Sequence, residues 1–296
     1  MKTQQKAYLY ALLAIFCWST VATAFKMALY GMDFLHLLLI SSGVAMLFLG
    51  FLLFISSQLK PTLLSKPKDY LHSAILGLLN PFLYYVVLLK AYEILPAQFA
   101  VSLNYIWPIT LVLLSIPLLQ QKIGIKSIIC ILISFTGVVI IANKGNFTTL
   151  QTPNSFGVIL ALGSSVFWAL FWIFNVRDKR EEKQKLFLNF AFGFIYILIT
   201  ILLFSDFHIP DKSSFMAAIY IGLVECGISS ILWLKALKMI SSMDKIGNLV
   251  FLSPFLSLIF IHLIIGESIY LSTLAGLILI ISGIVLQKLI QKNKIN

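Results

Sequence analysis

Apolar stretches long enough to cross a bilayer follow one another along nearly the whole chain, with only short connections between them. A span needs ~20 apolar residues to cross a ~30 Å hydrocarbon core. Windows that meet this lie near residues 7–29, 34–57, 69–90, 96–119, 123–142, 154–176, 186–204, 214–237, 245–265 and 269–289. Of 296 residues, 60% are hydrophobic and 11% charged, against ~25% charged in an ordinary soluble domain. A water-soluble fold of this length has too little interior to hide so much apolar side chain. The expectation is an all-α integral membrane protein of ten transmembrane helices, with no room for a separate soluble domain.

The net charge of +11 comes from Lys and Arg that sit between apolar runs and not along one polar face. That pattern argues for the lipid bilayer as partner and against nucleic acid. With a cytoplasmic N-terminus, eighteen of the 22 basic residues fall inside, leaving Lys26, Lys90, Lys144 and Lys212 outside. An even span count returns the C-terminus to the cytoplasm, as in a multi-pass protein of a bacterial-type inner (plasma) membrane. Lys26 stands near a span end, where it snorkels to the outer surface or turns into the interior. Lys2 and Lys6 ahead of an apolar run with Ala22-Thr23-Ala24 imitate a cleaved signal peptide. The run is long for one and has a counterpart later in the chain, so it is read as a retained first span. Cys17, Cys130 and Cys226 lie inside apolar runs without metal-ligand spacing and are read as packing residues.

Internal repetition organises the chain further. Gly77 and Leu89-Lys90-Ala91 recur 145 residues later as Gly222 and Leu234-Lys235-Ala236. Pro108 recurs as Pro254 and Thr136-Gly137 as Ser282-Gly283, both at 146, and Trp18 finds a partner in Trp168 at 150. The expected units are residues 1–146 and 147–296, each of five spans. An odd number of spans makes the second copy enter the membrane from the opposite side, giving inverted topology. Such repeats place a solute site near the bilayer midplane at their interface and give two conformations open to opposite sides.

Glu225 lies about ten residues from either end of its run, hence near mid-bilayer, where a carboxylate costs at least ~2.5 kcal/mol unless it faces protein or water. Its partner at the offset of 145 is Asn80. Glu225, Ser229 and Trp233 follow i, i+4, i+8 on one helix face, and Asn80 and Tyr84 repeat the first step. These two faces are expected to look at each other across a cavity, with Glu225 binding an ammonium group, carrying a coupled proton, or serving as interhelical glue. Trp168, Trp172 and Asn175 at i, i+4, i+7, and Trp107 three residues after Asn104, offer aromatic faces for an apolar or aromatic solute, or pack as core. Pro108 and Pro254, inside matched spans, are expected to kink their helices and mark a gating element. Ser134, Gly137, Ala275, Gly276, Ser282 and Gly283 suit close packing within the chain or a homodimer.

An enzyme makes demands that the sequence does not meet. Asp33, Asp69, Asp178, Asp206, Asp211 and Asp244 fall in loops or at span ends, His36, His72, His208 and His262 are scattered, and no nucleophile elbow or phosphate loop is present. No catalytic residue, cofactor or metal is expected, and transport energy must come from a gradient.

These features together resemble the EamA family of the drug/metabolite transporter superfamily, over essentially the whole chain. Trp18-Ser19-Thr20 and Asn104-Tyr105-Ile106-Trp107-Pro108 are similar to its aromatic amino acid exporter branch, and Gly266-Glu267 to its repeat-end signature. The first copy departs from the pattern, with Gln120-Gln121 in the corresponding place. The resemblance implies an inner-membrane carrier with both termini cytoplasmic and a cavity lined by spans one, three, four, six, eight and nine. That lining would include Trp18, Asn80, Tyr84, Asn104, Trp107, Trp168, Glu225 and Trp233. The expected activity is export or exchange of a small-molecule substrate, first of all amino acids with apolar or aromatic side chains, by alternating access. Export of drugs or other small solutes is the alternative, and a membrane enzyme or sensor a more distant one.

Overall fold

The structure is a computed structural model and describes residues 3–119, 125–142, 154–207, 209–239 and 249–292. Lys2, Gln120, Gln121, Lys144, His208 and Asp244 lie outside the described residues. All regular structure among those described is helical. Helices α1 (Thr3–Leu29), α2 (Phe34–Ile55), α3 (Leu59–Leu63), α4 (Pro67–Gly77) and α5 (Tyr84–Ile94) are followed by α6 (Ala97–Asn104), α7 (Trp107–Leu119) and α8 (Ile125–Ala142). The rest comprises α9 (Ser155–Arg177), α10 (Glu182–Phe204), α11 (Lys212–Ile221), α12 (Ser230–Met239), α13 (Leu252–Phe260) and α14 (Leu271–Lys292). Among the described residues, six helical stretches are long and apolar enough to cross a membrane: Gln4–Leu29, Phe34–Ile55, Pro67–Ile94, Ser155–Asn175, Glu182–Phe204 and Lys212–Trp233. Ile128–Ile141, Leu252–Ile265 and Leu271–Leu286 are shorter apolar helices.

Polar residues just ahead of the apolar runs start the helices. Asp33 accepts from the amides of Leu35 and His36 at 2.8 and 3.1 Å, and Asn154 and Asp211 cap α9 and α11 in the same way. Large side chains such as Leu47, Phe51, Phe54, Leu132, Leu202 and Phe204 point outward. A surface of that kind suits lipid and not water.

Two of the long rods are interrupted. A π-helical stretch, Leu78–Leu83, joins α4 to α5, and a second, Gly222–Ser229, joins α11 to α12. In the first, Asn80 is extended (φ −151°, ψ 119°). Pro81 follows it, and a proline ring pushes the preceding residue out of the helical region. The two prolines expected to kink spans do something different. Pro108 is the second residue of α7, after a break at Tyr105 and Ile106, and Pro254 is the third residue of α13, after a 3₁₀ turn over Leu249–Phe251. In a first turn no backbone donor is lost, so these prolines begin helices instead of bending them.

The small-residue faces meet inside the chain. Gly137 on α8 lies against the Gly276 carbonyl on α14, Gly283 against the Cys130 carbonyl, and Ser134 donates to the Ile280 carbonyl at 3.0 Å.

Polar contacts tie the helices together at both ends. Gly31 abuts Asp211 and Ser214, and the Lys26 ammonium donates to the Tyr92 carbonyl at 2.6 Å in the last turn of α5, where a cation is favoured. At that end Gly266 takes a left-handed conformation (φ 79°) that closes the π turn Ile261–Ile265, a geometry open mainly to glycine. Glu267 then accepts from the first two amides of α6, Ala97 at 3.0 Å and Gln98 at 3.4 Å. The opposite end is held by Arg180, which donates to the Asp69 carbonyl at 3.0 Å and the Ser73 hydroxyl at 2.8 Å, and by Gln184 bonded to Gln58.

Candidate functional site

Interrupted helices and aromatic stripes converge on one two-lobed cavity. Along α1, Trp18, Val21, Ala22 and Phe25 form one face; along α5, Tyr84, Leu88 and Tyr92 form another at steps of four. The α6–α7 break contributes Asn104, Tyr105 and Trp107, α9 Trp168 and Trp172, α12 Trp233, and α13 Ser253 and Ser257. The first lobe spans about 820 Å³, with the open space at its mouth included. The second, about 600 Å³, shares Trp18, Trp168, Trp172, Glu225 and Trp233 with the first and adds Asn80, Asn175 and Glu182 among others.

The five tryptophans of the chain all line this cavity. Trp168 is the hub: its ring centroid lies 4.7 Å from Tyr84, 6.5 Å from Trp107 and 5.8 Å from Trp172. On the other wall Trp18 and Trp233 stand 5.2 Å apart. Edge and tilted contacts of this kind fix ring positions beyond what area burial alone does. Polar anchors hold the frame. Asn104 donates to the Ser164 hydroxyl at 2.8 Å and accepts from Tyr84 at 3.4 Å, while the Tyr85 hydroxyl donates to Glu225 Oε1 at 2.9 Å. Glu225 is thus a carboxylate on the cavity wall, oriented by a buried phenol from the opposite half of the chain.

The EamA-like transporter family model matches residues 5–143 and again 155–287. The chain belongs to the EamA-like transporter family. It is 26% identical over 253 residues to an uncharacterized transporter of Bacillus subtilis, covering 85% of this chain and 80% of that protein. A second uncharacterized transporter of Bacillus subtilis is 26% identical over 222 residues, 73% of this chain and 70% of that one. Solute carrier family 35 member F5 of Macaca fascicularis matches a shorter stretch, 26% over 140 residues, 44% of this chain and 32% of that protein. A solved crystal structure superposes with a TM-score of 0.68 at 19% identity, covering 98% of each chain, and shows the same fold. Family membership makes this a multi-pass membrane transporter of small solutes, not an enzyme.

Within this EamA-like chain the structure gathers most of the expected side chains. Trp18, Tyr84, Asn104, Trp107, Trp168, Trp172, Glu225 and Trp233 line the first lobe, and Asn80 lines the second. Ser229 is the exception. Its segment is π-helical, and an i→i+5 repeat sets the fifth residue, not the fourth, beside the first. Ser230 accordingly lines the second lobe, while Ser229 is fully buried with its hydroxyl on the Glu225 carbonyl. Pro254 follows the cavity-lining Ser253 in sequence but is not itself among the lining residues. Sequence reasoning passed over Tyr85, Phe25, Tyr92, Ser253 and Ser257. A tyrosine or serine within an apolar run carries no signal of its own there. For Phe25 and Tyr92 the available signal was the spacing of seven from Trp18 and eight from Tyr84.

Proposed function

We propose that this EamA-like protein is a secondary transporter that exports or exchanges small metabolites by alternating access, and that the Trp-lined cavity around Glu225 is its solute site. The observation that carries this reading is the convergence of five tryptophans and one mid-membrane carboxylate on a single cavity. Intramembrane carboxylates are costly and mark solute or proton paths. In this reading ten spans form two inverted repeats, 1–146 and 147–296. The two family matches at 5–143 and 155–287 support that division, as does the placement of Asn80 and Glu225 in matched π-helical interruptions. The paired breaks before Pro108 and Pro254 are the elements proposed to gate. The proposed location is an inner (plasma) membrane with both termini cytoplasmic. The lining of the proposed site comes from one chain, so a homodimer would form outside it.

The proposed solutes pair an amine with an apolar or aromatic body, and amino acids of that kind are the first class to test. Motif likeness to aromatic amino acid exporters supports this choice; export of drugs with the same chemistry is the second reading. Glu225 would hold the amine or a coupled proton, and the gradient that drives exchange would act through it. Counterflow tests the reading: liposomes containing the purified protein and unlabelled amino acids are followed for uptake of labelled phenylalanine, tryptophan and threonine. Uptake above that of empty liposomes, abolished by Glu225→Ala and Trp107→Ala, is expected. Uptake that survives both substitutions overturns the site, and uptake of none of the three overturns the amino acid class.

A further inference from the structure

The second lobe carries polar atoms without partners. Asn80 is only 8% exposed, and its Oδ1 is buried with no hydrogen bond; the indole Nε1 of Trp172 is buried likewise. Buried polar groups are paired almost everywhere in native proteins, so a pair of orphans on one cavity wall marks a place where a ligand completes the set.

Trp172 Nε1–H is a donor and Asn80 Oδ1 an acceptor, so the one-sidedness of the set lies in the charge: the lobe is lined by carboxylates and by no cation among the described residues. Asn80 Oδ1 and the Glu225 carboxylate are both acceptors, and both line the lobe that Trp18, Trp168, Trp172 and Trp233 surround. A carboxylate neutralises an ammonium group, an amide oxygen takes one of its N–H bonds, and indole faces attract the cation through their quadrupole. The other charged lining residue, Glu182, is paired with Lys185 at 2.8 Å. Among the described residues no Lys, Arg or His lines either lobe. A solute carboxylate would therefore meet no cation there and would share the cavity with the charge of Glu225. Beyond the acceptors, the first lobe offers Phe25, Tyr84, Leu88, Tyr92, Val101 and Trp107 to an apolar body.

We propose that the cavity selects organic amines of net charge +1 with an apolar or aromatic body, their ammonium on Glu225 and Asn80, and discriminates against the same body carrying a free carboxylate. This rests on the cavity being the solute site and reorders what that site takes, setting the free amine above the amino acid of the same body.

Three probes with one body test it: phenethylamine (cation), phenylalanine (zwitterion) and 3-phenylpropionate (anion). Because the five tryptophans all line the cavity, intrinsic emission of the purified protein reports binding directly. The amine should give a saturable change with affinity about tenfold or more above phenylalanine, and 3-phenylpropionate none. Asn80→Ala and Glu225→Gln should each weaken the amine by about tenfold. Where Glu225→Gln does not fold, Glu225→Asp keeps the charge and should retain part of the amine response. Equal or tighter binding of phenylalanine overturns the selectivity, and if phenylalanine counterflow proceeds, the transport reading stands. A saturable response to 3-phenylpropionate overturns the electrostatic argument outright. Loss of every response together with every counterflow overturns both readings.

Discussion

Asp178 and Arg180, in the turn between α9 and α10, show how much one residue holds at the membrane edge. Arg180 grips Asp178 through Nε at 3.0 Å to each carboxylate oxygen and through Nη2 at 2.6 Å to Oδ2, while Nη1 donates to the Asp69 carbonyl and Nη2 also to the Ser73 hydroxyl of α4. Burial pushes the Asp178 carboxyl up, but the hydrogen bonds and charge of Arg180 outweigh it and hold the group below the usual aspartate value. A carboxyl with a depressed native pKa contributes stability that is present above the unfolded value of ~3.9 and is lost as pH falls through the native one. Asp178→Asn should therefore lower the thermal midpoint in detergent at pH 7, with the gap to wild type closing below about pH 4. A gap that stays constant from pH 7 to pH 3 removes the ion pair as its cause. At this scale the sequence was legible wherever chemistry was costly. Glu225 stands out because lipid penalises it, Asn80 because the offset of 145 pairs it with Glu225, and the tryptophans because few other residues carry so much aromatic surface. Tyr85 was not legible: nothing in an apolar run tells a phenol that orients a carboxylate from one that packs.

Elements were legible as apolar runs, and illegible where their backbone departs from 3.6 residues per turn. Windows at 69–90 and 214–237 mark the two interrupted rods, yet periodicity assumes a regular helix, and the π stretch at Gly222–Ser229 moved Ser230 into the place expected of Ser229. The prolines were expected to kink their helices and instead stand in first turns, because whether a proline sits inside a helix depends on where the preceding helix ends. Ser134, Gly137, Gly276 and Gly283 were legible as a packing surface, whereas Ala275, read with them, is exposed. The partner of that surface was not legible, since sequence cannot distinguish a helix in the same chain from one in a second copy. In the structure α8 and α14 answer each other: a methyl added at Gly137 meets the Gly276 carbonyl and, at 3.0 Å, the Ile280 amide, while one at Gly276 lies 2.6 Å from the Gly137 carbonyl. Backbone cannot swing away as a side-chain tip can, so the helices must separate. Gly137→Ala and Gly276→Ala should each cost about 1–3 kcal/mol. Size-exclusion profiles and thermal midpoints in detergent check this; an unchanged midpoint for both would show that the seam has slack.

At the scale of the whole molecule, the polar contacts sort the turns into two ends without reference to charge. Gly31 lies by Asp211, and Glu267 by Ala97, at one end; Arg180 lies by Asp69 and Ser73, and Gln184 by Gln58, at the other. The Arg180 end also carries Lys60, Lys66, Lys68, Lys179, Lys183 and Lys185. Basic excess follows the cytoplasmic side, so that end should face the cytoplasm. Lys179 and Lys212 make the decisive pair, because both are exposed and a single helix, α10, stands between them. Its 23 residues reach about 34 Å, enough for one crossing of a bilayer. In a background with Cys17, Cys130 and Cys226 replaced by alanine, Lys212→Cys should react with an impermeant maleimide in intact cells, and Lys179→Cys only in inverted vesicles. Reversed labelling would overturn the orientation while leaving the fold; labelling of both from one side would deny that α10 crosses. The expected pattern also bears on mechanism. Glu182, the first residue of α10, lines the second lobe, so that lobe extends toward the Arg180 end. If that end is cytoplasmic, an amine would pass the Glu182–Lys185 pair on its way to Glu225 and Asn80, the order in which the proposed exporter would load.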